Sequence, residues 1–302
     1  MLAIIDAVKA VAPASLVRCI KQAGFVQRIY DRAIVTQNFR RKLGRRPNLR
    51  NPTTFNEKVA YKMLYDRRPL LTLIADKVKV RDYVAERVGA QFLPKVYGIF
   101  ESVDEIDWQQ LPESFVIKAN HGCEMNVFVP DKAKANTAEI ALQLRVWLGR
   151  NFYYHLREWC YLDIRPMVLI EELLRDEHSD HLIDWKFFVF DGRCKCVRVC
   201  LGPSEDRRQN YYDRDLRRMN VRMGHVPNSP NDPIMPTNIE TMFSVAETLG
   251  RGLDFVRVDL YNVKGRIVVG ELTNYPGAGL RQFIPAEFDA LLGREWQVPA
   301  QY

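Results

Sequence analysis

The chain has 302 residues and no apolar run long enough to span a bilayer, which argues against an integral helical membrane protein. Its six cysteines are too few for a disulfide scaffold. Cys194, Cys196 and Cys200 also lack the C-x-x-C spacing of a zinc site. Residues 194 and 196 alternate as on one face of a strand, so buried thiols in a reducing compartment are expected. There is no internal repeat, no low-complexity tract and no signature of a DNA- or RNA-binding module, so nucleic acid is not an expected partner. The start, MLAIIDAVKAVAPASLVRCIKQAGF, lacks a clean signal-peptide core and cleavage site. It reads as an amphipathic helix, a break at Pro13 and a second helix.

What is present suits a packed, mixed protein. Hydrophobic residues make up 47% and charged residues 27%, so a proper core is affordable and disorder is not the default. The length fits two domains or one composite unit. The formal net charge is +7, partly from Arg40-Arg41-Lys42 and Arg45-Arg46. Such a basic segment is either a solvated face or a contact for polyanions. Packing on the core is the expectation for the N-terminal segment, and peripheral contact with a membrane is the alternative. The expected location is the cytoplasm, with the inner face of the cell membrane as the variant of that reading.

Residues 1–50 read as helical and basic, and residues 51–90 continue helically. Thr54 three residues before Glu57 is a capping signal. Strands are expected over 95–100, 115–119, 126–129, 167–174, 184–190 and 193–200, the last two joined over Asp191-Gly192. Helices are expected over 137–160 and 238–252, and residues 202–237 read as a long loop. The mixture indicates α+β architecture.

The segment 254–279 is the richest in chemistry. Phe255 to Tyr261 and Arg266 to Leu272 alternate as strands, with Asn262-Val263-Lys264-Gly265 as the turn. In an antiparallel pair Asp259 and Glu271 would lie near each other on one face. Two such carboxylates repel unless a cation joins them, and hard oxygen ligands suit Mg²⁺ that also holds phosphates. An ordinary surface hairpin with two solvated acids is the alternative.

This hairpin resembles the metal-binding end of the ATP-grasp fold, which pairs an Arg-x-Asp strand with a Glu-x-Asn strand and a Pro-Gly turn. Arg257-Val258-Asp259, Glu271-Leu272-Thr273 and Pro276-Gly277 stand in those places, with Thr273 replacing Asn. Asp76-Lys77, Phe115-Val116-Ile117-Lys118 and Val168-Leu169-Ile170-Glu171-Glu172-Leu173-Leu174 resemble its two phosphate lysines and its adenine hinge. From about Asn51 to Gly279 the chain is similar to the TupA-like ATP-grasp family, linked to teichuronopeptide and other surface-polysaccharide biosynthesis. Strings that carry the likeness include Thr54-Phe55-Asn56-Glu57-Lys58, Asn120-His121-Gly122, Arg157-Glu158-Trp159, Asp184-x-Lys186-Phe187-Phe188 and Tyr212-Asp213. The resemblance implies an α+β ATP-grasp fold whose two antiparallel-sheet subdomains grip ATP behind a helical N-terminal segment. With the basic helical segment over 1–50 ahead of it, the expected organisation is the N-terminal part and first subdomain over 51–170 and the second subdomain with the metal site over 171–302.

The implied roles follow from charge. Lys118 and Lys77 would contact phosphates, with His121 and Gly122 in the phosphate loop. Glu171, Glu172 and Leu173 would border adenine and ribose. Arg257 would stabilise the transferred phosphoryl group. Lys186, beside aromatics, would point at phosphate, or lie on the surface as a snorkelling lysine. Asp259, Glu271 and Thr273 would hold Mg²⁺. His121 as a hydrogen-bonded structural residue, and either lysine as a surface residue, are the plainer alternatives. The phosphate loop departs from the family's His-Gly-Ser-Gly-Gly-Asn: here it is His121-Gly122-Cys123-Glu124-Met125-Asn126. Glu124 brings negative charge and Met125 bulk where glycines would let N–H groups approach a phosphate.

The expectation is an ATP- and Mg²⁺-dependent carboxylate–amine ligase acting through an acyl phosphate. Its acceptor would be an acidic glycan or an amino acid, in the setting of surface polysaccharide or capsule. Arg207, Arg208, Tyr212 and Asp213 are candidate acceptor contacts. A glycan kinase, a glycosyltransferase or a non-catalytic binding protein are the rival readings.

Overall fold

The computed structural model describes residues 24–175, 181–203 and 205–299. The expected N-terminal amphipathic helix and its membrane contact fall on residues 1–23, outside the described residues. Among the described residues no helix is long and apolar enough to cross a membrane.

Four helices lead: α1 (Gly24–Leu43), α2 (Phe55–Tyr65), α3 (Pro69–Ala75) and α4 (Val80–Arg87). The start of α2 is the capping box expected from the sequence, with the Thr54 hydroxyl accepting from Glu57 N–H. Glu57 does more than cap. Its carboxylate accepts from the Thr53, Thr54 and Asn48 N–H groups at 3.1–3.2 Å and from the Arg45 guanidinium. Burial alone would raise its pKa, but Arg45 and those N–H groups outweigh it and hold the group below its ordinary 4.5. Stability from a carboxylate lowered in the folded state is complete above its unfolded value and is lost as pH falls through the folded one. Glu57→Ala is therefore expected to cost about 2 kcal/mol at neutral pH. Urea unfolding at pH 7 and below pH 4 should show the gap to wild type narrowing in acid.

Next come β1 (Val96–Phe100), β2 (Phe115–Ala119), β3 (Asn126–Val129), α5 (Thr137–Leu148), α6 (Tyr153–Leu156) and β4 (Val168–Glu171). They build a four-stranded antiparallel sheet in the order β1-β4-β2-β3. Its apolar face is Phe115, Ile117, Val168 and Ile170, covered by Ile140 and Leu144 of α5.

A six-stranded antiparallel sheet follows in the order β11-β10-β5-β6-β7-β8. Its strands are β5 (Asp184–Phe190), β6 (Arg193–Leu201), β7 (Arg208–Asp213), β8 (Arg218–Met219), β10 (Phe255–Val263) and β11 (Arg266–Thr273). Helix α7 (Ile239–Gly250) packs on it, β9 (Arg222–Met223) pairs with β12 (Phe283–Ile284), and α8 (Glu287–Glu295) ends the described fold. Cys194, Cys196 and Cys200 are buried along β6 without a disulfide.

The larger core takes the α2–α4 helices together with this second sheet. Phe55 centres it, with ring centroids 5.0 Å from Phe255 and 5.6 Å from Trp296. Beside these rings is a buried charge node. Asp254 accepts from the Lys62 ammonium at 2.9 Å, Arg68 at 2.5 Å and the Trp296 indole N–H at 2.7 Å.

The stretch 202–237 is less irregular than its sequence suggests, since it holds β7, β8 and β9. Polar side chains do the work that apolar alternation usually signals. Gln209 is buried and donates to the Met223 and Val226 carbonyls at 2.9 and 2.7 Å, fixing the returning backbone.

Candidate active site

Strands β10, β5 and β11 bring one row of charge across the second sheet. Asp259 lies opposite Lys186 on one side and opposite Glu271 on the other. That second pairing depends on a β-bulge. From the turn, Val263 faces Arg266 and Leu260 faces Val269, a register that would put Gly270 opposite Asp259. The irregularity at Gly270 shifts the strand by one residue. Val269 then goes to the core while Glu271 joins the Asp259 face. A Cβ at 270 would come within 2.7 Å of the Tyr261 ring, so glycine fits the bulge.

Arg257, two residues from Asp259, bridges both acids. Its Nε and Nη2 donate to Asp259 at 2.6 and 2.7 Å, and Nη2 also donates to Glu271 at 2.8 Å and Thr273 Oγ1 at 3.0 Å. Lys186 pairs with Asp259 and Asp184, each at 2.5 Å. These charges tune one another. Burial pulls the Lys186 ammonium down, but Asp184 and Asp259 outweigh it and the net shift is upward. Burial pushes Glu271 up, yet Arg257, Lys186 and Lys77 hold it at about 2. Asp259, deeper in the sheet, is raised because burial outweighs Arg257 and Lys186.

The first sheet faces this row across a cleft of about 1500 Å³. Lys118 and Glu171 lie on the same face of adjacent strands and form an ion pair, with Arg81 3.4 Å from Glu171. Lys77 donates to the carbonyls of Ala119, at 3.2 Å, and of Gly122, so it braces the loop that follows β2. Burial lowers its pKa. Gly122 is required there by close packing: a Cβ would lie 2.4 Å from Met125 and 2.7 Å from the Phe152 ring.

The residues named from the sequence separate into two groups. Lys77, Lys118, Glu171, Glu172, Leu173, Lys186, Arg257, Asp259, Glu271 and Thr273 all line the cleft. His121 and Gly122 are not among its lining residues. The His121 ring is buried, with Nδ1 at 3.2 Å from Asn120 Oδ1 and Nε2 at 3.0 Å from the Trp147 carbonyl. Both nitrogens are thus used inside the protein, and the expected phosphate contact by His121 is corrected to a structural role. Glu172 lines the cleft but gives both oxygens to Arg266, at 2.8 and 3.0 Å, tying the first sheet to the tip of the β10–β11 hairpin. Of the acceptor candidates, Arg207 lines the cleft. Tyr212 is buried with its hydroxyl on Asp232 at 2.7 Å, and Asp213 accepts from the Asp215 and Arg217 N–H groups. Tyr212 and Asp213 hold the turn after β7.

Glu158 received no role from the sequence. It is buried at the cleft wall, and desolvation together with the Glu271 carboxylate pushes it up to about 8. The available signals were its place in the family-like string Arg157-Glu158-Trp159 and its setting among aromatic residues in HLREWCY.

The departure in the phosphate loop also takes physical form. Met125 is 6% exposed and belongs to the core of the first sheet. Glu124 is exposed at the cleft and sits at φ 59°, the left-handed region a glycine adopts without strain. Glu124→Gly exchanges about 1 kcal/mol of backbone strain for a similar loss of chain entropy, so stability should hold within about 1 kcal/mol. Removing the charge is expected to raise ATP affinity, read by calorimetry. Met125→Gly would instead empty core volume and cost roughly 2–5 kcal/mol.

A divalent cation fits the residues present. Asp259 and Glu271 contact the same Arg257 nitrogen, so one small cation can reach both. Asp184 adds a third carboxylate, one of whose buried oxygens has no partner, against two cationic side chains. Among the described residues no three His, Cys, Asp or Glu side chains form a complete cage. A two-carboxylate site suits a Mg²⁺ that takes its remaining ligands from phosphates and water.

Two antiparallel sheets closing on such a cleft define an ATP-grasp protein. The chain belongs to the TupA-like ATP-grasp family, whose sequence model matches residues 57–297. No curated protein matches it in sequence. Among solved structures, the D-alanine–D-alanine ligase of Bacillus anthracis complexed with ATP is 14% identical over 69% of this chain and 58% of that one, with a TM-score of 0.42. The L-amino acid ligase of Bacillus licheniformis is 13% identical over 68% of this chain and 43% of that one, with a TM-score of 0.42. The D-alanine–D-alanine ligase of Helicobacter pylori is 12% identical over 76% and 60%, with a TM-score of 0.40. The chain thus spans less than two thirds of the length of these proteins.

Proposed function

We propose that this chain is an ATP-dependent carboxylate–amine ligase acting on an acidic glycan or amino-acid acceptor in surface-polysaccharide biosynthesis. One observation carries the reading: Asp259, Glu271 and Arg257 converge on a cleft whose opposite wall carries Lys118. In this reading a substrate carboxylate oxygen attacks the γ-phosphorus of ATP and ADP leaves. An amine then attacks the acyl carbon, the C–O bond breaks, and phosphate leaves with the electron pair.

Asp259 and Glu271, with the Thr273 hydroxyl, would hold Mg²⁺, which when bound neutralises phosphate charge. Arg257 stays cationic among its acids and offsets charge on the transferred group. Lys118 exchanges its Glu171 partner for phosphate, and Lys77, which lines the cleft beside the loop carbonyls it holds, supplies the second phosphate contact. A ligand that fills the cleft would displace water from this row of charge, where each of these contacts strengthens.

The test is Mg²⁺-dependent ATP binding by calorimetry on wild type and on Asp259→Asn/Glu271→Gln. Micromolar binding that the double variant loses supports the reading and licenses an acceptor screen by ADP release. Absence of binding in wild type overturns it, and favours the binding-protein reading to which the exposed Glu124 points.

A further inference from the structure

Glu158 stands apart from every other buried or half-buried acid of the cleft. Glu171 is paired with Lys118 and Arg81, Glu172 with Arg266, and Asp184, Asp259 and Glu271 with Lys186 or Arg257. Glu158 is 7% exposed, lines the cleft, and its carboxylate has no hydrogen-bond or ion-pair partner among the described residues. Its oxygens are not among the fully enclosed polar atoms and open onto the cleft, so a cation that enters the cleft can reach a carboxyl with no partner inside the protein.

The group is also held firmly. The preceding Arg157 adopts φ 65°, in the left-handed region, and is 1% exposed. Its guanidinium lies 4.8 Å from the Tyr30 ring and 5.3 Å from those of Tyr153 and Tyr154. Tyr153 is itself anchored to Asp31 at 2.6 Å. A strained residue inside an aromatic cage fixes where the next side chain starts. Glu158 therefore presents a placed acceptor, within electrostatic reach of Glu271 at the metal end of the cleft.

We propose that Glu158 is the subsite for a primary ammonium group, the amine that the ligase joins to the activated carboxylate. The assignment rests on the ligase reading for the amine's role, and on burial and lack of a partner for its chemistry. A polyphosphate would be repelled there. A divalent ion would need further ligands, and no third one is grouped with Glu158 among the described residues. A primary ammonium brings one charge and three donors, the complement of a lone buried carboxylate.

The probe is ethylammonium chloride, followed by saturation-transfer NMR on the full chain, with tetramethylammonium as the control that has no N–H. Mg²⁺-dependent ATP binding is measured on the same samples. Wild type should bind ethylammonium and not tetramethylammonium. Glu158→Gln should weaken ethylammonium at least about tenfold, the loss of one charge-assisted pair, and leave ATP affinity within about twofold. Glu158→Asp, which keeps the charge on a shorter arm, should fall between the two. Equal ethylammonium binding in all three proteins, or none in wild type, overturns the assignment. So does a parallel loss of nucleotide in Glu158→Gln, which would make Glu158 part of the metal site. Ammonium binding by a wild type that ignores ATP would leave this subsite standing and remove the ligase reading.

Discussion

Arg257→Met is expected to lower the unfolding free energy by about 3–5 kcal/mol, and Mg²⁺ is expected to return part of that loss. The guanidinium is nearly buried and donates to Asp259, Glu271 and Thr273 at once. Without it three carboxylates, Asp184, Asp259 and Glu271, share the single ammonium of Lys186. Burying unbalanced charge is what makes breaking such a pair costly. A divalent ion supplies the same missing charge at the same oxygens, so it should stabilise the variant more than wild type. Urea unfolding with and without millimolar Mg²⁺ reads this directly. An identical Mg²⁺ increment in both proteins would mean that the two acids are not its ligands.

Asp254→Ala is expected to cost a comparable 3–5 kcal/mol, with no help from Mg²⁺. Lys62 has no solvent exposure at its side chain, and without Asp254 its ammonium keeps the Phe255 carbonyl at 2.8 Å but loses its buried counter-charge. Burial already lowers the Lys62 pKa against the pull of Asp254. The Trp296 indole N–H loses its acceptor in the same step. Thermal unfolding is the measurement. Lys62→Met combined with Asp254→Ala should recover part of the loss, because an apolar pair leaves no charge behind. A double variant no more stable than Asp254→Ala would show that the node is held by packing instead.

The parts of the site that were legible in the sequence are those whose spacing survives folding unchanged. Strand alternation and the Asn262–Gly265 turn foretold the hairpin, and Thr54 with Glu57 foretold the start of α2. The approach of Asp259 to Glu271 was reached for an incomplete reason. The turn alone would have set Gly270 there, and only the bulge, which period-two alternation does not express, moves Glu271 into place. His121 looked available because a histidine beside a glycine loop is chemically apt. Its burial depends on Trp147, which no local pattern ties to it. Strand β7 was read as loop because Arg208-Gln209-Asn210 lacks apolar alternation, and the bonds that justify burying those polar groups come from residues 223–231. Glu158 was passed over because its significance is the lack of a partner, which only three dimensions reveal.

The way the two cores are threaded bears on how the chain comes to be folded. The four-stranded sheet draws all its strands from one continuous stretch, Val96 to Glu171. The larger core closes Phe55 against Trp296, across most of the chain. Contacts so distant in sequence form late, after the loop between them has been synthesised. During translation the small sheet can therefore assemble while the α2 helix still lacks the surface it covers. Any interruption before Trp296 leaves an aromatic face of Phe55, Phe188 and Phe255 short of its lid, a surface that invites aggregation and engages chaperones.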